Sequence, residues 1–147
     1  MIQESNRILI TGGRGYIGSV LCQKLEESGE QLSVLDSKVS SRETVGYQTS
    51  VFEGDIRDTK LLSRAMAGVG KVVHLAGISD GRAGKSNPQL TREVNYESFK
   101  TLIEIARDAQ VKRFLFASTF GVYGQSFREK LREDLPLNPS DVYSETK

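Results

Sequence analysis

Three side chains near the end of the 147-residue sequence have the types and spacing needed to move a proton to or from a hydroxyl group. Tyr143 and Lys147 are one helical turn apart, so they share a face if this segment is helical. A free phenol loses its proton only near pH ~10, but a neighbouring ammonium group favours the phenolate and makes it a usable base. Thr119, next to Ser118, offers a hydroxyl that could hydrogen-bond the same substrate alcohol. The residues indicate oxidation of an alcohol.

Each of these signals has an ordinary structural alternative. A tyrosine and a lysine at this spacing are also typical of an exposed helix with a partly packed tyrosine. Ser118 and Thr119 end a predicted strand, and a hydroxyl there can simply cap that strand. The carboxyl ends of parallel strands are, however, where α/β proteins bind their ligands.

A glycine-rich segment near the N-terminus has the pattern of a dinucleotide phosphate loop. Gly12, Gly15 and Gly18 are spaced G-x-x-G-x-x-G between an apolar strand and an amphipathic helix. The first two allow a tight turn close to a pyrophosphate, and the third lets the helix pack against the strand. The N-terminus of the helix then presents N–H groups and partial positive charge to the phosphates.

Asp36 ends the next predicted strand, where a carboxylate would bind a ribose diol. It would also repel a 2′-phosphate, which favours NAD over NADP. The nearby basic residues Lys38 and Arg42 could instead attract a 2′-phosphate, although we interpret them as part of a solvated loop. For Asp36 itself, the alternative interpretation is a turn-forming aspartate at a strand end.

Short apolar runs alternate with helical stripes along the chain. The runs predict strands at 7–11, 31–36, 47–52, 71–76 and 112–118. The stripes predict helices at 16–28 (Ile17, Val20, Leu21, Leu25), at 58–67 (Leu62, Ala65, Met66), at 89–110 (Leu90, Val94, Leu102, Ile105, Ala109) and from the N-cap Asp141 onward. Alternating strands and helices predict a doubly wound, Rossmann-type α/β domain over residues 1–147, with a parallel sheet in the order 3-2-1-4-5.

Composition excludes several classes of function. Twenty basic against 19 acidic side chains give a net charge of +1, so we expect neither a nucleic-acid nor a membrane partner. The single cysteine, Cys22, allows no internal disulfide, and together with His74 it is too small a set for a zinc site, so no metal is expected. We interpret His74, between Val73 and Leu75, as a buried strand histidine. A soluble cytoplasmic protein is expected.

Taken together, the motifs resemble the NAD-dependent epimerase/dehydratase family of the extended short-chain dehydrogenase/reductase superfamily, typified by UDP-galactose 4-epimerase. The matching segments are TGGRGYIG (11–18), Asp36, GDIRD (54–58), HLAG (74–77), Asn95, STFGVYG (118–124) and YSETK (143–147). Their joint occurrence in order is more specific than any one motif.

The resemblance implies roles for particular residues. It assigns the pyrophosphate of NAD to Gly12, Gly15, Tyr16, Ile17 and Gly18, the adenosine ribose to Asp36, the adenine to Asp55 and Ile56, and the approach to the nicotinamide to Leu75, Ala76 and Gly77. It implies Thr119 as the residue that orients the hydroxyl, Tyr143 as the acid/base, and Lys147 as the residue that tunes Tyr143 and binds the nicotinamide ribose. Asn95 matches a residue near the active site, although it could simply bond backbone groups, and Tyr123 is interpreted as a packing residue.

The sequence departs from the family pattern in two ways. Phe120 and Gly121 stand where sugar-nucleotide 4,6-dehydratases carry an Asp-Glu pair, which argues for epimerisation or simple oxidation or reduction. Family members are roughly twice as long, so we expect a domain truncated before a C-terminal substrate domain. In the full-length form a UDP- or dTDP-linked sugar is the expected substrate, and a homodimer is one option.

Two further hypotheses remain open from the sequence. The chain could be an NAD-binding module without turnover of its own, because a short helix would hold Tyr143 and Lys147 poorly. An NAD(P)-sensing regulator of related fold is the other, although such a protein needs no Thr/Tyr/Lys set.

Overall fold

The computed structural model describes residues 6–37, 49–79, 85–124 and 130–147. Within these residues the strands form one 5-stranded parallel sheet in the order β3-β2-β1-β4-β5. The strands are β1 (Arg7–Thr11), β2 (Leu32–Asp36), β3 (Ser50–Glu53), β4 (Val69–His74) and β5 (Arg113–Phe116). The predicted Rossmann-type strand order is confirmed. Lys38, Arg42 and the predicted start of β3 at Tyr47 lie outside the described residues.

Helices connect the strands. They are α1 (Tyr16–Glu27), α2 (Thr59–Ala65), α3 (Pro88–Arg92), which continues through a π-helical turn (Glu93–Glu97) into α4 (Ser98–Asp108), and α5 (Val142–Glu145). A 3-10 turn covers Phe120–Tyr123. The side chains of Asp58, Asn87 and Asp141 cap α2, α3 and α5 by accepting backbone N–H groups, as the sequence predicts for Asp141. Of the helices in the described ranges, none has the length and apolar character needed to span a bilayer.

The core has two layers because successive strand residues face opposite sides of the sheet. On one side, Leu9, Leu35 and Val72 pack with residues of α2 and α4, including Leu62 and Leu102. On the other side, Ile8, Ile10, Leu32 and Val34 pack with Cys22 of α1.

The orientation of α1 differs from the apolar stripe seen in the sequence. Ile17 and Val20 are 65% and 52% exposed, whereas Gly18 and Cys22 face the sheet. A Cβ atom on Gly18 would lie 2.2 Å from the carbonyl oxygen of Gly12. This close approach requires the glycine side of α1 to face the phosphate loop, and it turns Ile17 and Val20 outward.

The predicted long helix 89–110 is interrupted and shorter. The π-helical turn shifts the register between α3 and α4, and α4 ends at Asp108. Leu102 and Ala106 are therefore buried in α4, whereas Ala109 is exposed at its C-cap. Gln110 follows with φ 58, a left-handed conformation more often adopted by glycine.

Candidate functional site

The glycine loop crosses the carboxyl ends of the central strands. Gly12 has φ +72, and a Cβ atom there would lie 2.7 Å from the backbone nitrogen of Ala76. Its own N–H donates to the carbonyl of Leu35 at 2.7 Å, and the N–H of Gly15 donates to the carbonyl of Gly12 at 3.0 Å. The loop therefore lies between the ends of β2 and β4, with room only for glycine at residue 12.

The N-terminus of α1 follows directly from this loop. Its N-cap is Gly15, which has no side chain to cap the first-turn N–H groups. Tyr16 is 95% exposed, so the first helical turn is open to solvent. This is an arrangement that accepts an anionic group from outside the protein.

Asp36 lies against the glycine loop at the end of β2. Its Oδ2 accepts the backbone N–H of Arg14 at 2.9 Å, and its carbonyl accepts the N–H of Gly54 at 3.0 Å. The carboxylate is therefore fixed beside the loop predicted to hold the pyrophosphate. A simple turn-forming aspartate would not need this long-range bond to Arg14.

A network of charges orders the segment after β3. Oδ1 of Asp55 accepts from the backbone N–H and from Nε of Arg57, at 2.9 and 3.0 Å, and Oδ2 accepts from Nη2 at 2.7 Å. Nη1 of Arg57 reaches Glu93 of the π-helical turn at 2.9 Å. The hydrogen bond from the Arg57 side chain is the main reason that the pKa of Asp55 lies below its usual value. Ile56 between them is buried.

Sequence reasoning missed this network, although the Asp-x-Arg spacing in GDIRD was a usable signal. Glu93 carried no such signal, because it lies far from Asp55 and Arg57 in the sequence. The network fixes Asp55 in the ionised form at the place predicted for the adenine.

His74, at the end of β4, is buried at 1% exposure, and its Nδ1 lies 2.6 Å from Oγ1 of Thr11. Its ring stacks on Phe99 and Phe116 at centroid distances of 5.5 and 5.8 Å. Burial, followed by the charge of Lys147, lowers the pKa of His74 to about 4. The interpretation of His74 as a buried, hydrogen-bonded histidine is confirmed.

The residues after His74 continue toward the glycine loop. The N–H groups of Leu75 and Ala76 donate to the carbonyl and to Oγ1 of Thr11, at 3.0 and 3.3 Å. Gly77 follows with φ +157, where a Cβ atom would lie 2.9 Å from Oδ1 of Asn95. This segment passes directly beside Gly12, and its role in the approach to a nicotinamide stays a prediction.

Lys147 and Thr119 lie at the carboxyl end of β5. Nζ of Lys147 is 4.5 Å from the ring centroid of Phe116, and its carbonyl accepts the hydroxyl of Ser118 at 2.9 Å. Burial lowers the pKa of Lys147, while the aromatic face attracts the ammonium group. Oγ1 of Thr119 accepts the N–H of Gly121 at 3.2 Å and caps the 3-10 turn, yet its own O–H remains a donor.

Tyr143 is half-buried on α5, one turn before Lys147. α5 ends at Glu145, so Lys147 lies beyond the helix and the expectation that Tyr143 and Lys147 share one helical face is wrong. The structure brings Thr119 and Lys147 together at the carboxyl end of β5. The grouping of the Tyr143 side chain with Thr119 and Lys147 around one substrate hydroxyl stays a prediction. Half-buried Tyr123, in the 3-10 turn, remains interpreted as a packing residue.

Gly121 packs closely against α5. A Cβ atom on Gly121 would lie 2.5 Å from Oγ of Ser144 in α5. A side chain at residue 121 would therefore require the Ser144 hydroxyl to rotate away or α5 to shift.

Asn95 joins three segments around the site. Its Oδ1 accepts the N–H of Ile78 at 2.8 Å, and its Nδ2 donates to the carbonyl of Ile78 at 3.0 Å. Nδ2 also donates to Oγ1 of Thr146 at 3.3 Å. Asn95 therefore bonds backbone groups, as one interpretation expected, and it also contacts α5. Thr146 was missed by sequence reasoning and had no signal beyond its place next to Lys147.

These residues fit a dinucleotide of the NAD type. The N-cap Gly15 and the exposed Tyr16 leave the first turn of α1 open to solvent, and the Asp36 carboxylate is held beside the glycine loop by the N–H of Arg14. Asp55 is exposed after β3, whereas the side chain of Ile56 is buried in the core with Leu61 and Leu62. Leu75 and Ala76 bond to Thr11 next to the glycine loop.

Comparisons with known proteins agree with this arrangement. The profile described as "NAD dependent epimerase/dehydratase family" matches residues 8–147. UDP-glucose 4-epimerase of Lactobacillus helveticus is 33% identical over 144 residues, which cover 96% of this chain and 44% of that protein. The chain thus spans less than half the length of this curated relative.

Solved structures give the same result. UDP-glucose 4-epimerase of Thermus thermophilus in complex with NAD has a TM-score of 0.87 and 33% identity, covering 96% of this chain and 47% of that one. The Thermotoga maritima UDP-glucose 4-epimerase with UDP-glucose has a TM-score of 0.89 and 29% identity, with the same coverage of 96% and 47%. With its fold, its glycine loop and a family profile that matches nearly its whole length, the chain belongs to the NAD-dependent epimerase/dehydratase family.

Proposed function

We propose that residues 1–147 form the NAD-binding domain of a cytoplasmic nucleotide-sugar epimerase or oxidoreductase. The observation that carries the proposal is the placement of Thr119 and Lys147 at the carboxyl end of β5, beside the segment that follows β4. A dinucleotide on the glycine loop would extend along that segment toward Lys147. The reacting alcohol would then lie between the cofactor and α5.

Binding of NAD would use three parts of the chain. The first turn of α1, with Tyr16 and Ile17, would hold the pyrophosphate through backbone N–H groups next to Gly12, Gly15 and Gly18. Asp36 would accept the ribose hydroxyls, and Asp55 would face the adenine. Asp36 is the reason to expect NAD rather than NADP, because a carboxylate repels a 2′-phosphate.

The chain's own residues would then handle the proton. Bound NAD would supply the acceptor and donor of hydride. Thr119 would donate its O–H to the substrate oxygen and orient it, while Tyr143 would take the proton of the substrate hydroxyl and later return it. Lys147 would stabilise the phenolate of Tyr143 and bind the nicotinamide ribose, with its ammonium group supported by the ring of Phe116.

The proposed substrate is a UDP- or dTDP-linked sugar, bound by the protein in its full-length form. Support comes from the relatives, one of which was solved with UDP-glucose. Phe120 and Gly121 stand where the dehydratases of the family carry an acidic pair, which favours epimerisation or simple oxidation and reduction. A homodimer is the proposed assembly, by analogy with the family alone.

A second candidate is an NAD-binding module without turnover of its own. The specific observation is that curated relatives extend well beyond the matched region, which covers 44% of the Lactobacillus protein. Residues that bind the nucleotide sugar would then come from outside these 147 residues.

Two measurements on the same chain distinguish these candidates. Calorimetric titration with NAD tests the cofactor site, and no binding at millimolar NAD would contradict both. Turnover of UDP-glucose, UDP-galactose or dTDP-glucose would then be followed by product analysis. Loss of turnover in Tyr143→Phe by about 100-fold or more, with Tyr123→Phe as the control that keeps it, supports the enzyme. NAD binding without turnover of any of the three sugars supports the module.

A further inference from the structure

We propose that Thr146 is a positioning residue for the Tyr143–Lys147 pair. Its hydroxyl joins α5 to the π-helical turn that carries Asn95 and, through Asn95, to the segment that follows β4. The inference rests on the proposed function, because it concerns how the proposed acid/base is held against the cofactor site.

The helix that carries Tyr143 needs support from outside. α5 contains 4 residues, and a single helical turn is not stable by itself. Asp141 caps its start by accepting the N–H of Ser144 at 2.7 Å, and Thr146 N–H donates to the carbonyl of Val142 at 3.1 Å. These local bonds define the turn but do not fix its place relative to the sheet.

Several contacts tie α5 to the rest of the protein, and they differ in strength. The ion pair between Arg92 and Glu145 is 2.6 Å long, but both side chains are about half exposed, so water screens it. The hydroxyl of Ser118 that reaches Lys147 is exposed as well. Thr146 is buried at 7% exposure, and a buried polar bond that is lost leaves a group without solvent to replace its partner. Of these three contacts, the one through Thr146 is the best shielded from water.

The hydroxyl of Thr146 both accepts and donates a hydrogen bond. Oγ1 accepts from Nδ2 of Asn95 at 3.3 Å and donates to the carbonyl of Tyr143 at 2.9 Å. One side chain thus connects the backbone of the proposed acid/base to a residue of the π-helical turn.

Asn95 extends the connection to the cofactor side. It is 3% exposed, and its amide makes two bonds to the backbone of Ile78. The segment from Leu75 to Ile78, the π-helical turn and α5 are therefore joined by one continuous set of hydrogen bonds, of which the Asn95–Thr146 bond is buried and the others are partly buried. Thr146 is the only member that lies between Tyr143 and Lys147, so it sets where both stand relative to the segment beside Gly12.

The experiment compares Thr146→Val, which keeps the shape and removes the hydroxyl, with Thr146→Ser, which keeps the hydroxyl. Thr101→Val is the matched control, because Thr101 in α4 donates a similar bond to the carbonyl of Glu97 without contacting α5. Amide hydrogen exchange of residues 144–146 and the NAD affinity are measured for the 147-residue chain and each variant. Thr146→Ala replaces the valine variant if that one does not fold.

Loss of the hydroxyl should speed exchange in α5 about tenfold and weaken NAD binding about threefold. Thr146→Ser should restore both to within about twofold of the unmodified chain, and Thr101→Val should change neither. Unchanged exchange in α5, or unchanged NAD affinity in Thr146→Val, would overturn the positioning role. If the unmodified chain does not bind NAD, the proposed function fails, and the exchange rates still decide whether Thr146 orders α5.

Discussion

Oγ1 of Thr11 lies 2.6 Å from Nδ1 of His74, which ties the ends of β1 and β4 together beneath the glycine loop. The N–H of Ala76 donates to the same oxygen at 3.3 Å. The imidazole has no access to water in this position, since it is 1% exposed and stacked between aromatic rings. Burial therefore favours the neutral form of His74.

Because the folded protein favours neutral His74, the free energy of unfolding should fall as the pH is lowered below neutral. The folded pKa of about 4 lies below the ordinary value of 6.5, so the unfolded chain binds a proton before the folded chain does. The stabilisation is complete above pH ~6.5, declines as the pH falls, and is lost by pH ~4, a change of roughly 3 kcal/mol. Urea denaturation at a series of pH values measures it.

His74→Phe is the control for this prediction. It keeps an aromatic ring against Phe99 and Phe116 but removes the titrating group. We expect a free energy of unfolding that is flatter between pH 6.5 and 4 than in the unmodified chain. Parallel curves for the two proteins would exclude His74 as the cause. Asp55 does not interfere, because its pKa is lowered from 3.8 and its contribution is lost only below that window.

The sequence was sufficient for features with a local or periodic signal. The apolar run at Arg7–Thr11 and the glycines after it predict β1 and the phosphate loop, and the alternation of elements predicts the strand order. Asp141 was recognisable as an N-cap because the side-chain type itself makes the bond. The position of Thr119 and Lys147 at the carboxyl end of β5 followed from placing their segments at one edge of the sheet.

Features decided by tertiary contact were not predictable. The π-helical turn has no signature in the apolar pattern. It places Asn95 where its amide bonds Ile78 and Thr146. The outward direction of Ile17 follows from the approach of Gly18 to Gly12, which overrides the helical stripe. In the sequence, Thr146 resembles any other polar residue, because its bond to Asn95 joins residues far apart in the chain.

Asp36 should control both the affinity for NAD and the preference for NAD over NADP. Asp36→Ala removes a charged acceptor of the ribose hydroxyls, so NAD affinity should fall about 10- to 100-fold. The affinity for NADP should fall less than the affinity for NAD, or rise, because the repulsion of its 2′-phosphate is removed. Glu53→Ala is the matched control, since Glu53 is exposed and is the register partner of Asp36 on the neighbouring strand β3. Calorimetric titration of both cofactors checks this, and equal losses for the two variants would contradict it.

Gln110 should be replaceable by glycine with a gain in stability. Its φ of 58 is strained for a residue with a Cβ atom, and it stands directly after the C-cap of α4. Gln110→Gly should raise the free energy of unfolding by about 0.5–1 kcal/mol, after the greater freedom of glycine in the unfolded chain is subtracted. Ala109→Gly should lower stability, because Ala109 has φ -77 and no strain to relieve. Thermal denaturation measures both, and the prediction fails if the two variants shift Tm in the same direction.

Gly121 and Ser144 should behave as a sterically coupled pair. A Cβ atom on Gly121 would lie 2.5 Å from Oγ of Ser144 but 3.4 Å from its Cβ, so the hydroxyl oxygen alone causes the clash. Gly121→Ala should therefore destabilise the protein by about 1–3 kcal/mol as α5 is displaced. Ser144→Ala alone should have a small effect, and the double variant should recover most of the loss, which a double-mutant cycle by urea denaturation measures. If the stability losses of the two single variants simply add, the Ser144 hydroxyl does not cause the clash, and the 3-10 turn moves away from α5 instead. In that case Gly121→Ala should change the affinity for NAD to the same extent with Ser144 and with alanine at residue 144.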